Sequence, residues 1–263
     1  MKRFTGPVLT SAQLKTALVT GGARRIGAAI VRDLAAHGYT VAIHASTSAE
    51  EAASIRNEIT AAGGRACVVA GDLISREGRE ALIAATNALV GPIDLLVNNA
   101  SIFQRDSVDE FDEALFDDHF AIHVKTPTVL TRDFARQLPQ GVSGLVVNII
   151  DQRVWSPTPR FYSYTLSKAA LYMATKTAAQ ALAPRVRVNA IGPGPTLPAA
   201  RQTQADFEKQ VSGLIMRQGA GLDEFGRTIR FLHESPSITG QMIALDGGQH
   251  LAWQTPDVAE VVE

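Results

Sequence analysis

Three residue types within one short stretch can move a proton. In Asn148–Lys168, "NIIDQRVWSPTPRFYSYTLSK", Asp151 directly follows the apolar run "GLVVNII", which reads as a buried strand. Tyr164 comes thirteen positions later and Lys168 four after that. On a helix, positions i and i+4 share a face, so the phenol and the ammonium are neighbours. An ammonium beside a phenol favours the phenolate and lowers its pKa from about 10, which suits proton transfer near neutral pH. Tyr162 has the wrong offset to Lys168, and Tyr172 reads as helix packing. Asp151 has plainer readings too: it can cap a turn or pair with Arg153 or Arg160.

A second constellation binds rather than reacts. "TALVTGGARRIGAAIVRDLAAHG" reads as strand, glycine loop, helix. Gly21, Gly22 and Gly27 stand where the chain must turn tightly and let a pyrophosphate approach a helix N-terminus, with Arg24, Arg25 and Ile26 in the same loop. An NAD site normally carries an acid after the second strand, bonding the ribose 2′-hydroxyl. Here that place reads His44–Ala45–Ser46–Thr47–Ser48, with no acid before Glu50. Hydroxyls and the neighbouring arginines suit a 2′-phosphate, so the expected cofactor is NADPH. Asp72, beside Leu73 at the end of the third strand, either meets the adenine edge or caps the helix starting near Ser75. Asn98, Asn99, Ala100 and Ser101 end the fourth strand, and Pro193 and Gly194 follow the sixth. Asn98 and Asn99 pack against the cofactor or neighbouring loops, and at least one of them is expected to be purely structural. No metal site is expected.

Strand-like apolar runs at 16–20, 39–44, 65–72, 93–100, 144–150, 186–192 and 241–248 must position these residues. Between them lie helical patterns at 26–37, 48–62, 75–89, 108–121, 122–138, 162–182, 203–217 and 222–233. The runs are continuously apolar, which means burial on both faces. With helices between them, the reading is an α/β fold built on a doubly wound parallel sheet. No linker divides residues 1–263, so a single domain is expected, with loose ends over the first dozen and last ten residues.

Composition sets outer limits. The chain has 263 residues, 46% hydrophobic and 19% charged, and 25 Lys and Arg balance 26 Asp and Glu. Nothing points to nucleic acid as a partner. No apolar run approaches the roughly 20 residues of a membrane helix, and the N-terminus lacks the apolar segment of a secretory signal. The one cysteine, Cys67 in "ACVVA", reads as a small buried core residue and requires no oxidising compartment. A cytoplasmic enzyme with a small-molecule substrate is the expectation.

"TGGARRIG", "NNA", "YTLSK" and "IALDGG", in this order and spacing, resemble the short-chain dehydrogenase/reductases over about Lys15 to Gly248. The resemblance implies a Rossmann-type seven-stranded sheet of order 3-2-1-4-5-6-7, a nicotinamide cofactor, a catalytic Tyr164–Lys168 pair with Lys168 also on the nicotinamide ribose, and commonly a homotetramer. The chain departs from the family pattern where Asp151 replaces the usual serine and His123, in "FAIHVKTP", the usual asparagine. His123 either completes a polar, water-linked relay to Lys168 or packs. Arg25 in the glycine loop, Phe103 in "NNASIF", Asp151 and the "IHVKTP" segment together resemble the pteridine reductase and dihydromonapterin reductase subgroup.

That resemblance implies a pterin lying between the nicotinamide and Phe103, with Arg25, Ser101, Asp151 and Tyr164 around it. Reducing a ring C=N bond needs a proton on nitrogen, and an Asp151–Tyr164 pair can carry it from water. Acting as donor, Asp151 would need a raised pKa or a protonated neighbour. Two other functions stand beside this one: a general ketone reductase, for instance of 3-oxoacyl thioesters, and an NADP-sensing protein without chemistry. The segment 195–218 is expected to cover the substrate.

Overall fold

A computed structural model describes residues 14–199 and 202–254; most of the expected loose ends lie outside them. Seven strands alternate with helices: β1 (Thr16–Val19), α1 (Arg25–Ala36), β2 (Thr40–Ala45), α2 (Ala49–Ala61), β3 (Arg65–Ala70), α3 (Arg76–Val90), β4 (Leu95–Asn98), α4 (Glu113–Phe120), α5 (Thr126–Gln137), β5 (Gly144–Ile149), α6 (Tyr162–Leu182), β6 (Val186–Pro193), α7 (Gln204–Ser212), α8 (Leu222–Glu234) and β7 (Met242–Leu245). All pairings are parallel, in the order β3-β2-β1-β4-β5-β6-β7. This is the doubly wound Rossmann-type sheet expected from the sequence.

The strands are apolar throughout because both faces are covered. Ala17 and Val19 face one core with Val41, Ile43, Leu95 and Val97, against Ile30 and Leu34 of α1 and Phe225 and Ile229 of α8. Leu18 between them faces the other core, with Leu96, Val146 and Val188 against Leu82 of α3 and Leu130 and Phe134 of α5. Each such fully buried aliphatic side chain contributes roughly 1.5–3 kcal/mol relative to exposure. Cys67 is only half-buried, because β3 is the edge strand and its face is partly open.

Differences from the expected elements have local causes. α4 starts at Glu113 rather than near residue 108, because Asp112 caps it by accepting from the N–H groups of Ala114 and Leu115 at 2.9 and 3.1 Å. α7 ends at Ser212, where Gly213 follows. Between α4 and α5 the chain does not break. It passes through a π-helical turn, Ala121–Lys125, that carries His123; such turns recur at functional sites.

At the edge of the sheet remote from the strand C-termini, Asp94 is fully buried and accepts from the backbone N–H groups of Leu14, Lys15 and Thr16 at 2.7, 3.1 and 2.8 Å. This carboxylate anchors the entry into β1. Beside it the Tyr39 hydroxyl lies 2.7 Å from Nδ1 of His233. Among the described residues, no helix is long and apolar enough to cross a membrane.

Candidate active site

The glycine loop runs from β1 into α1 and is shaped by close backbone contacts. Gly21 has φ of +60°, the left-handed region that glycine adopts without strain. A Cβ on Gly27 would lie 2.2 Å from the Gly21 carbonyl oxygen, so no other residue fits there. Asn99 ties the loop down from β4: its amide donates to the carbonyls of Thr20 and Gly21 at 2.9 and 3.0 Å, while its N–H donates to Thr20 Oγ1 at 2.9 Å. Ala100 N–H donates to the same hydroxyl at 3.0 Å. Asn98 turns inward and donates to Asn148, which donates to Thr175 of α6, at 2.8 and 2.9 Å. Both asparagines are therefore committed to the fold, and Asn99 serves the site by shaping its floor.

α1 begins without a side-chain cap and without an acid in its first turn. Its first N–H groups and the helix dipole suit an anion. His44 lies beneath the loop. Gly21 N–H donates to its Nδ1 at 3.1 Å, so Nε2 carries the proton and donates to the Gly71 carbonyl at 3.0 Å. Burial holds this imidazole below its ordinary pKa, partly opposed by the Gly71 bond. With both nitrogens bonded inside the fold, His44 positions the loop and has no ring nitrogen left to bond a ligand. Ser46 and Thr47 are exposed and Ser48 half-buried at the end of β2. Arg24 pairs with Glu51 of α2, its Nε donating at 2.8 Å. Asp72 does not cap α3; Ser75 does, accepting from Gly78 N–H at 3.0 Å. Asp72 instead accepts from Ile74 N–H at 3.0 Å and remains exposed, while Leu73 is buried and accepts from Thr126. Gly194 packs against Asp246, where a Cβ would come within 2.7 Å of Asp246 Cα, and Pro193 ends β6 beside it. These features fit a dinucleotide: a glycine cradle closed to any Cβ, an uncapped helix start and an acid-free strand end.

The candidate reacting groups converge at the C-terminal ends of β4 and β5. The Tyr164 hydroxyl donates to Asp151 Oδ2 at 3.0 Å. Arg153 Nη1 donates to the same oxygen at 3.1 Å, and the Arg153 backbone N–H donates to Asp151 Oδ1 at 2.9 Å. Turn capping, the Arg153 ion pair and the tyrosine contact thus all hold at once, and both carboxylate oxygens are engaged. Lys168 is buried and donates to the Ile149 carbonyl at 2.8 Å, with its ammonium 5.6 Å from the centre of the Tyr164 ring. Burial pushes the Lys168 ammonium down to about 8, with Asp151 opposing. Tyr164 moves opposite to the sequence expectation. Burial raises its pKa well above the ordinary phenol value, the Asp151 carboxylate adds to this, and Arg153 opposes it. An ammonium always favours a phenolate, but here burial and the facing Asp151 carboxylate outweigh the nearby positive charge.

Phe103 is exposed and lies edge-on to Tyr164, with ring centres 4.8 Å apart. One of its faces stacks on Phe161 at 4.3 Å and 8°. The Arg153 guanidinium carbon sits 5.4 and 5.2 Å from the two ring centres, at the rim of the pair. Phe161 has φ of +60° and precedes α6, with its N–H donating to the Asp106 carbonyl at 2.9 Å. Arg25 has a positive φ of 52° and reaches the segment after β6, donating to the carbonyls of Pro198 and Leu197 at 2.9 and 3.3 Å. The positive φ explains why glycine is the usual residue at the matching place in the family resemblance.

Sequence reasoning did not see Phe161 or the polar ladder behind Tyr164. His119 Nδ1 lies 2.7 Å from Ser163 Oγ, and His123 Nδ1 lies 2.8 Å from Ser167 Oγ. The signal was present as two i,i+4 pairs, His119/His123 and Ser163/Ser167, which face each other across α6. His123 bonds Ser101 and Ser167, with no direct bond to Lys168.

The short chain dehydrogenase family model matches residues 15–209. The crystal structure of alternative dihydrofolate reductase 1 (FolM) from Brucella canis, complexed with NADP, is similar at 60% identity and a TM-score of 0.90, covering 92% of this chain and 96% of that one. The Brucella suis protein of the same name, also in complex with NADP, has the same identity and TM-score, covering 92% of this chain and 98% of that one. The 3-oxoacyl-[acyl-carrier-protein] reductase of Staphylococcus epidermidis is 30% identical over 90% of this chain and 99% of its own length. Family model, sheet order and Tyr164–Lys168 geometry agree: the chain belongs to the short-chain dehydrogenase family of oxidoreductases.

Proposed function

We propose that this protein is an NADPH-dependent reductase of pterins, acting on a dihydropterin such as dihydromonapterin or dihydrobiopterin, with dihydrofolate as a further substrate. One observation carries the reading: the phenol of Tyr164 rests on a carboxylate, Asp151, beside the exposed aromatic ring of Phe103. An aspartate paired with the acid suits protonation of a ring nitrogen, and the exposed ring of Phe103 suits a flat heteroaromatic ring. The 60% identity to the Brucella dihydrofolate reductases supports the same class.

When bound, the cofactor supplies a hydride from its nicotinamide. The first turn of α1 would hold its pyrophosphate, and Ser46, Thr47 and Ser48, with Arg24 released from Glu51, would take the 2′-phosphate. Lys168 would bond its ribose. Phe103 and Phe161 set the plane of the substrate ring and exclude water from one face. Tyr164 is kept protonated by burial and by Asp151, so it is the acid: its hydroxyl turns from Asp151 toward the ring nitrogen and delivers its proton there. Asp151, held by Arg153, orients that hydroxyl and hands the phenol a replacement proton from water.

Self-association as a homotetramer is part of this reading. It is supported by exposed Leu166 and Met173 on α6 and by the partly open edge strand β7. A cytoplasmic location fits a chain whose one thiol is unpaired.

The test is NADPH oxidation with dihydromonapterin, dihydrobiopterin and dihydrofolate, beside an acetoacetyl thioester. Pterin turnover alone supports the proposal. Thioester turnover alone would assign the chain to the ketone reductases and remove the pterin reading.

A further inference from the structure

Ser101 follows the floor of the glycine loop and is exposed at the mouth of the site. Its Oγ lies 2.8 Å from Nε2 of His123, whose ring is edge-on to Tyr164 at 5.3 Å and 90°. His123 is almost completely buried in the π-helical turn. The hydrogens of this chain follow from its far end. Ser167 Oγ is 2.7 Å from the Tyr164 backbone carbonyl, which can only accept, so the single Ser167 proton goes there. The bond between Ser167 Oγ and His123 Nδ1 at 2.8 Å must then be donated by Nδ1–H. Burial, with Lys168 and His119 nearby, holds the imidazole well below its ordinary pKa and therefore neutral. Its Nε2 carries a lone pair and accepts the Ser101 proton. The alternative acceptor, the Ile102 carbonyl, is farther away at 3.3 Å.

We propose that His123 is a positioning residue that makes Ser101 a committed hydrogen-bond acceptor, so that the group seated against Ser101 must bring an N–H. A hydroxyl has one proton, and His123 takes it; only lone pairs face the site. An aminopyrimidine-type edge, with ring N–H and exocyclic amino groups, satisfies them. A bare ketone presents its own lone pairs and leaves both partners unsatisfied, which is where discrimination is largest. An asparagine at this place could turn either its oxygen or its nitrogen toward Ser101 and would not impose a polarity. The inference rests on the pterin reading for the substrate's name but not for the polarity of Ser101.

Two measurements test it. In the full chain with NADP bound, nitrogen NMR of labelled histidines, assigned by loss of a signal in His123→Asn, should show His123 as the neutral Nδ1–H tautomer from about pH 6 to 9. An Nε2–H tautomer, or titration within that range, overturns the proposal whatever the substrate. In kinetics, His123→Asn should raise KM for a dihydropterin about tenfold with kcat within about twofold. An unchanged KM, or a loss in kcat alone, would mean that His123 merely supports the fold. If the wild-type protein reduces no pterin, the functional reading fails, and the tautomer still decides the role of His123.

Discussion

The hydroxyl of Tyr164 donates to Oδ2 of Asp151 across 3.0 Å, and Arg153 donates to that same oxygen at 3.1 Å. One carboxylate oxygen thus links the Tyr164 phenol to a cation braced at the rim of the Phe103–Phe161 pair. Proton delivery and the aromatic shelf are mechanically joined through Arg153.

Replacing the acid should separate chemistry from binding. Tyr164→Phe keeps the ring that packs against His119 and His123 and loses only the proton. Turnover is expected to fall by roughly 10²–10⁴, while NADPH affinity, read by fluorescence titration, changes little. A large loss of affinity would place Tyr164 in cofactor binding instead.

Arg153→Ala should cost activity without touching the glycine loop. The Asp151 carboxylate loses its ion pair and the two phenylalanines lose their brace. A drop of about tenfold in kcat/KM is expected, with NADPH affinity preserved. Wild-type kinetics would show that Asp151 and the ring pair hold their places unaided.

Lys168 makes stability depend on pH in a defined direction. Its folded pKa of about 8 lies below the unfolded value near 10.4. Below about pH 8 the charge is carried in both states and its burial destabilises the fold fully. Between the two values only the unfolded chain holds the proton, so this contribution to stability rises with pH by up to about 3 kcal/mol and then levels off. Denaturant titrations of the cofactor-free protein across this window should show that rise, and Lys168→Met should lack it.

Arg25 combines a strained backbone with a long-range contact. Arg25→Gly should relieve its positive φ by about 1 kcal/mol and lose the bonds to Leu197 and Pro198. An unchanged or higher Tm together with a raised substrate KM is the expected pair of results. A lower Tm would mean that the bonds to the 195–199 segment outweigh the strain.

Asp94→Ala should destabilise without altering the site. Three N–H donors at the start of β1 lose their acceptor, at a cost of about 3 kcal/mol in denaturant titration. Turnover per folded molecule should stay the same, because Asp94 lies at the opposite edge of the sheet from Tyr164.

The sequence by itself determined the parts of this protein whose physics is local. A run such as Leu145–Ile149 is apolar at every position only if both faces are covered, so the parallel sheet and its helices were legible. Gly21 and Gly27 marked the loop, the stretch after His44 was visibly free of acids, and the i,i+4 spacing put Tyr164 and Lys168 on one face of α6. Tertiary structure alone decided which partners those residues meet. The pKa of Tyr164 rises rather than falls because chain closure buries it against Asp151, and the ring of His44 is drawn under the glycine loop by Gly21 and Gly71. The contacts that set polarity and register join distant positions: His123 to Ser167 across 44 residues and Arg25 to Pro198 across 173. Periodicity reports the face a residue occupies. A hydrogen bond also needs the distance and direction of its partner, and these exist only once the sheet has brought the strand ends together.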